Sequence, residues 1–192
     1  MKLRTTIVRS AVIVVILALS LGIGFVYQEI WHRIDLKNHP REYTEYVARY
    51  AAEYGVPEYI LYAVIKTESD FDSSKLSEHG EIGLMQIAPD TFARLQTMTK
   101  ENQDSGILYD PETNIRYGAY LLSYLYTEYS RWNAVFAALD VGQTAVDQWQ
   151  RDSALVDELG NLIRIPDEKT AAYVDTVSET VEIYRELYYT ES

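Results

Sequence analysis

The run over residues 110–129 limits what this chain can fold into more than any other. Asp110-Pro111 places an acid at an N-cap and a proline at the first helical position, which predicts that a helix starts there. Beyond it Ile115, Tyr117, Ala119, Leu122, Tyr126 and Tyr129 spread apolar surface round most of the circumference instead of along one stripe. A helix of that kind must be covered from several sides, so it is expected at the centre of a helical domain.

The flanking sequence offers the covering elements. Tyr43, Tyr46, Val47, Tyr50 and Tyr54 recur at three- and four-residue steps, Gly55 ends that stripe, and Pro57 opens a second helix reaching Glu68. Residues 88–99 predict a helix with Phe92 and Leu95 inward, 132–139 and 144–150 predict two short ones, and 167–189 a last one with Tyr173, Val177, Val181, Tyr184 and Tyr188 inward. Only Ile163, Arg164 and Ile165 read as extended, ahead of Pro166. No internal repeat and no glycine-rich phosphate loop is visible, so the expected fold class is all-α.

At the N-terminus Lys2, Arg4 and Arg9 precede an uncharged, strongly apolar run over 10–27. As a helix it extends about 27 Å, enough to cross a bilayer with help from its flanks. The expected division is a short cytoplasmic tail over 1–9, a single transmembrane anchor over 10–27, a polar connector over 28–40 and a globular domain over 41–192. The basic residues on the near side and Glu29 on the far side predict an N-terminus inside and a domain outside the cytoplasm. A cleaved signal peptide is the alternative, although no small-x-small site follows the apolar run.

The 192 residues contain no cysteine, which removes disulfides, thiolate chemistry and Cys-based zinc sites. Residues 28–192 carry 14 Lys and Arg against 29 Asp and Glu, a formal charge of −15. Such a surface argues against nucleic acid as a partner. His79 has no ligand cluster around it in the sequence, so no metal site is expected. Tyrosine is abundant, 17 against 4 Phe; most of these rings are expected on buried helix faces, with some free to serve as platforms for sugars.

The residue that stands out chemically is Glu68. Ile60, Val64 and Glu68 share one helix face at four-residue spacing, which sets a carboxylate on a side otherwise made of aliphatic groups. Partial desolvation raises a carboxylate's pKa toward neutrality, as a general acid requires. Spacing alone leaves open a structural, ion-paired glutamate.

Its surroundings carry a resemblance. Glu68-Ser69, Gly83-Leu84-Met85-Gln86-Ile87, Asn114-Ile115-Arg116-Tyr117-Gly118, Ala137-Ala138 and Tyr173-Val174 together, in this order, resemble the lytic transglycosylase family with a goose-type-lysozyme-like fold, the soluble-lytic-transglycosylase catalytic domain. The resemblance covers roughly 43–189. It implies that Glu68 is the catalytic acid and then base, and that Ser69, Met85, Gln86, Asn114 and Tyr173 bind or position substrate. The implied substrate is peptidoglycan, cleaved at the β-1,4 bond between N-acetylmuramic acid and N-acetylglucosamine with closure of a 1,6-anhydro ring, and no cofactor is implied.

Two alternatives stay open: a binding protein that has lost turnover, and a hydrolytic muramidase using a second acid such as Asp70, Asp72, Glu78 or Glu81. They are sharpened by one departure. Where the family usually continues with Tyr-Asn-Ala-Gly, this chain has Leu139-Asp140-Val141-Gly142. Leu139 loses a ring hydroxyl, and Asp140, if it faces the cleft, adds a negative charge that raises the pKa of Glu68.

Overall fold

The computed structural model describes the backbone of residues 2–190 and the side chains of residues 19–190. Among the described residues eight α-helices are formed: α1 (Lys2–Asn38), α2 (Thr44–Tyr54), α3 (Glu58–Ser69), α4 (Pro89–Thr99), α5 (Pro111–Tyr129), α6 (Trp132–Val141), α7 (Gln143–Trp149) and α8 (Glu168–Tyr188). A short 3-10 turn, Ser105–Tyr109, leads into α5. Among the described residues β-structure is limited to isolated bridges, so the all-α expectation for the domain stands. The chain divides into two compact units, Met1–Pro40 and Arg41–Ser192.

The first unit corrects an expectation. α1 does not stop at Tyr27; it runs on to Asn38, so most of the polar connector expected over 28–40 is helix continuous with the apolar run. Among the described residues no helix is long and apolar enough to cross a membrane. The reason lies in the composition of the stretch whose side chains are described: the 19–38 part of α1 includes Glu29, Arg33, Asp35 and Lys37, with Arg33 bonded to Glu29 at 3.0 Å. Half of the expected 10–27 span, residues 10–18, lies outside the described side chains. The transmembrane helix, the membrane as a partner and the single-pass topology with its N-terminus inside and its domain outside the cytoplasm are therefore not carried forward.

In the second unit the helix boundaries follow local chemistry. The Asp110 carboxylate caps α5 by accepting from the Thr113 backbone N–H at 2.9 Å and its hydroxyl at 2.7 Å, and Asp167 caps α8 through the Thr170 N–H at 2.8 Å. α3 begins after Pro57 and ends at Asp70, which has a left-handed φ of 53°. The unbroken buried run sits in α3, not α5: Ile60, Leu61, Tyr62, Ala63, Val64 and Ile65 are all buried. Each fully buried aliphatic side chain there contributes about 1.5–3 kcal/mol. α3 packs on α8, α8 on α6, α6 on α5, α5 on α2 and α2 on α3, which closes a ring of helices, and α5 also meets α4 and the 3-10 turn. Tyr62 stacks on Tyr184, centroids 5.5 Å apart, and Phe92 meets Tyr117 edge-on at 4.7 Å, which is where much of the tyrosine content goes.

A repeat that the sequence did not reveal appears in the backbone. After α3, residues 72–83 form a small hairpin; after α7, residues 152–163 form another with the same bonds shifted by 80 positions. Ser77 N–H donates to Glu81 O and Asp157 N–H to Asn161 O, each at 2.9 Å; Gly83 N–H donates to Lys75 O and Ile163 N–H to Leu155 O, each at 2.8 Å. Leu76 bridges Ile82 as Val156 bridges Leu162. Gly80 and Gly160, with φ of 85° and 78°, make the corresponding turns.

Candidate active site

Glu68 sits in the last turn of α3, in the wall of a cleft of about 740 Å³. The first hairpin contributes Lys75, Ser77 and Glu81, the following turn Met85 and Gln86, α6 and the turn after it Leu139, Asp140 and Gly142, and α8 Tyr173. Stretches far apart in sequence, from the first hairpin to α8, thus line one cleft with the Glu68 carboxyl.

The glutamate is held as an acid. Burial pushes its carboxyl from the ordinary value near 4.5 up to about 7; the Tyr173 hydrogen bond and Lys75 oppose that shift, and the negative charges of Glu81 and Asp140 add to it. The Tyr173 hydroxyl donates to Oε1 of Glu68. Burial and the neighbouring Glu68 carboxylate hold the Tyr173 phenol well above its usual range, so it stays a donor at any physiological pH. With Oε1 occupied, Oε2 is the oxygen left to carry a transferable proton. Lys75 donates its ammonium to the Glu68 backbone carbonyl, not to the carboxylate, and so caps the end of α3 without neutralising the acid.

The other residues singled out from sequence divide into two groups. Met85, Gln86, Leu139, Asp140 and Tyr173 line the cleft with Glu68. Ser69 and Asn114 lie beneath it. The Ser69 hydroxyl donates to Leu84 O at 2.7 Å and is within 3.1 Å of Ile65 O, while Asn114, 0% exposed, accepts from Met85 N–H and donates to Ile82 O and Leu108 O, each at 2.8 Å. Both side chains are consumed in pinning the 82–85 turn to α3 and α5.

Glycines let that turn approach so closely. A Cβ on Gly83, whose φ is 78°, would overlap Asn114 Nδ2 and the Leu108 carbonyl; one on Gly118 of α5 would overlap Met85 Sδ. Gln86 takes a left-handed φ of 45°, rare for a side chain of its kind, and its Nε2 donates to Gly83 O at 2.7 Å and Lys75 O at 3.2 Å. Its Oε1 is buried without a partner.

Of the four loop acids weighed as a second carboxylate, the structure brings only Glu81 into the cleft lining. Asp70 pairs with Lys66, and Asp72 accepts from the Ser74 N–H at 2.8 Å and hydroxyl at 2.6 Å. Asp140 faces the cleft with its side chain 16% exposed; its Oδ2 accepts from the Thr170 hydroxyl at 2.6 Å. The contributions of Lys75 and Ser77 carry no pattern in the sequence. Their placement depends on the hairpin, in which the Ser77 hydroxyl accepts from the N–H groups of His79 and Glu81 at 3.2 and 3.0 Å.

Comparison with known proteins adds a further finding. Residues 45–158 match the family model described as the transglycosylase SLT domain. The chain is 30% identical over 162 residues to the soluble lytic murein transglycosylase of Escherichia coli K12, an alignment covering 82% of this chain and 25% of that protein. The 70 kDa soluble lytic transglycosylase of Escherichia coli superposes with a TM-score of 0.72 at 29% identity, over 79% of this chain and 25% of that one. An inactive mutant of the lytic transglycosylase Slt from Pseudomonas aeruginosa gives 0.69 at 27% identity, over 77% and 24%. The chain spans about a quarter of the length of each of these relatives.

Proposed function

The chain belongs to the transglycosylase SLT domain family, and from that premise we propose that it is a peptidoglycan lytic transglycosylase in which Glu68 acts first as acid and then as base. The observation that carries the reading is the state of Glu68: a carboxyl lining an open cleft, raised to about 7, with one oxygen held by Tyr173. Near neutral pH such a group is divided between its two forms, which suits one residue that must both give and take a proton.

In the first step Glu68 passes its proton from Oε2 to the glycosidic oxygen between N-acetylmuramic acid and N-acetylglucosamine, and the C1–O bond breaks as positive charge develops at C1 of the muramic sugar. The substrate's own acetamido oxygen is placed to stabilise that carbon. In the second step the Glu68 carboxylate takes the proton from the C6 hydroxyl of the same sugar, whose oxygen bonds to C1 and closes the 1,6-anhydro ring. Protons balance, Glu68 returns to its starting form, and no water is consumed. Tyr173 donates to Oε1 throughout and so fixes the carboxyl's orientation. Ser69 and Asn114 serve the reaction by holding the turn that carries Met85 and Gln86.

Mass spectrometry of fragments released from purified peptidoglycan by the full chain tests the reading. The expected products are lighter by one water, about 18 Da, than hydrolysed fragments. Hydrated ends would convert the assignment to a muramidase, and bound glycan without release would convert it to a binding protein.

The close contact at Gly118 yields a second expectation. Gly118→Ala forces Met85 aside, because the new Cβ takes the space of its thioether. The helix propensity gained, about 1 kcal/mol, offsets the displacement, so the thermal midpoint stays near wild type. KM for glycan strands rises about fivefold, on the order of 1 kcal/mol of lost binding, because Met85 lines the cleft. Steady-state kinetics beside thermal unfolding separate the two effects.

A further inference from the structure

The cleft gathers more acids than bases round Glu68. Four carboxylates line it, Glu68, Glu81, Asp90 and Asp140, against two cations, Lys75 and Arg94. Neither cation neutralises Glu68 directly. Lys75 donates to the Glu68 backbone carbonyl, and Arg94 donates to Gln143 Oε1 at 2.8 Å.

Two of the acids are fixed where they act on Glu68. Asp140 is 16% exposed and is anchored by the 2.6 Å bond from the Thr170 hydroxyl, Thr170 itself being 1% exposed and tied by its N–H to Asp167. Its nearest cation, Lys169, stands 4.0 Å away and is 82% exposed, so solvent screens that pairing. Glu81 is set by the hairpin: its N–H donates to Ser77 Oγ at 3.0 Å and its carbonyl accepts from Ser77 N–H at 2.9 Å, which aims its side chain into the cleft lining. The charged and titratable groups that line the cleft with Glu68 are thus Lys75 and Glu81 from the hairpin, Asp140 from α6, Tyr173 from α8, and Asp90 and Arg94 from α4.

We propose that Glu81 and Asp140, reaching the cleft from the first hairpin and from α6, are positioning residues for the proton of Glu68, holding it on the carboxyl until substrate arrives. The proposal rests on the functional reading above. Its physical basis is that two like charges in a partly desolvated cleft disfavour a third, and both contribute in that direction at Glu68, with Glu81 the stronger. It also gives the departure at position 140 a role: with the neighbouring Leu139 offering no hydroxyl, the acid at 140 supplies charge in place of a hydrogen bond.

The test reads Glu68 itself. In the full chain, 13C NMR follows the titration of the Glu68 carboxyl in wild type, Glu81→Gln, Asp140→Asn and the double variant. Both substitutions conserve shape, and an asparagine at 140 can still accept from Thr170, so the fold is retained. The midpoint is expected to fall by on the order of half a pH unit in each single variant and about twice that in the double, the size of a screened interaction across a cleft. Lys75→Gln is expected to move it the other way, which general damage to the site would not do. The falling alkaline limb of the pH–rate profile should move with the midpoint. A midpoint unchanged by both acidic substitutions, or one moved in the same direction by all of the variants, overturns the proposal. Because the titration needs no turnover, a chain whose midpoint moves as expected but releases no anhydro fragments would overturn the functional reading and leave this inference standing.

Discussion

Glu68→Gln is expected to reduce turnover by at least about a thousandfold while raising stability at alkaline pH. The substitution keeps the side chain's volume and leaves Oε1 able to accept from Tyr173, so the cleft should keep its shape. What it removes is the transferable proton, for which the mechanism offers no substitute. The gain in stability follows from linkage. The folded carboxyl titrates near 7 and the unfolded one near 4.5, so between those values the folded state holds a proton that the unfolded state has released. Stability contributed at this site is therefore intact below about 4.5, declines through that window and reaches its full deficit above about 7. Allowing for screening by the open side of the cleft, the deficit is on the order of 2 kcal/mol. The glutamine variant escapes it, and its thermal midpoint should exceed wild type by about 4–8 °C at pH 8 while matching it at pH 4. A variant with wild-type turnover would remove Glu68 from the mechanism. Equal midpoints at both pH values would mean that the carboxyl is not desolvated as described.

Asn114→Ala is expected to cost on the order of 4 kcal/mol, lowering the thermal midpoint by roughly 8–16 °C. Three buried backbone groups, Met85 N–H, Ile82 O and Leu108 O, lose their partner together, and with Asn114 fully buried no water takes its place without opening the turn. The turn carries Met85 and Gln86, so activity falls with the fold. Thermal unfolding beside kinetics separates this outcome from the role the family resemblance suggested. A residue that touched sugar would raise KM and leave the midpoint in place.

These two residues mark what could be read in advance. Glu68 drew notice because a charge at a helix's apolar spacing is locally anomalous, but its candidacy as the acid came from the resemblance of the motifs around it. The helix starts at Pro57, Asp110 and Asp167 were legible locally, since capping is settled within four residues. Asn114 could be flagged as part of a pattern but not assigned, because its three partners lie 6 to 32 positions away and belong to no common periodicity. The hairpin repeat at an offset of 80 was equally hidden. The two copies share Asp72 with Asp152, Ser73 with Ser153, Glu78 with Glu158 and Gly80 with Gly160, but the bonds that define the turn are mainly backbone bonds, which many sequences can make.

The N-terminal run shows the opposite failure. Hydropathy over 10–27 was read as a self-contained segment, yet helix formation is cooperative and nothing at Tyr27 or Gln28 breaks it, so α1 continues through Glu29, Arg33, Asp35 and Lys37.

Sequence alone determined the helical class of the domain and most helix starts, and set Glu68 apart as a carboxylate on an apolar helix face, because periodicity and capping are properties of neighbouring residues. Only the tertiary structure decided which loop acid accompanies Glu68, that Tyr173 holds one of its oxygens and that Ser69 and Asn114 work beneath the cleft. Those outcomes depend on which of several distant stretches the packing brings within a few ångströms of one another, and on the low dielectric that packing creates there, neither of which local sequence encodes.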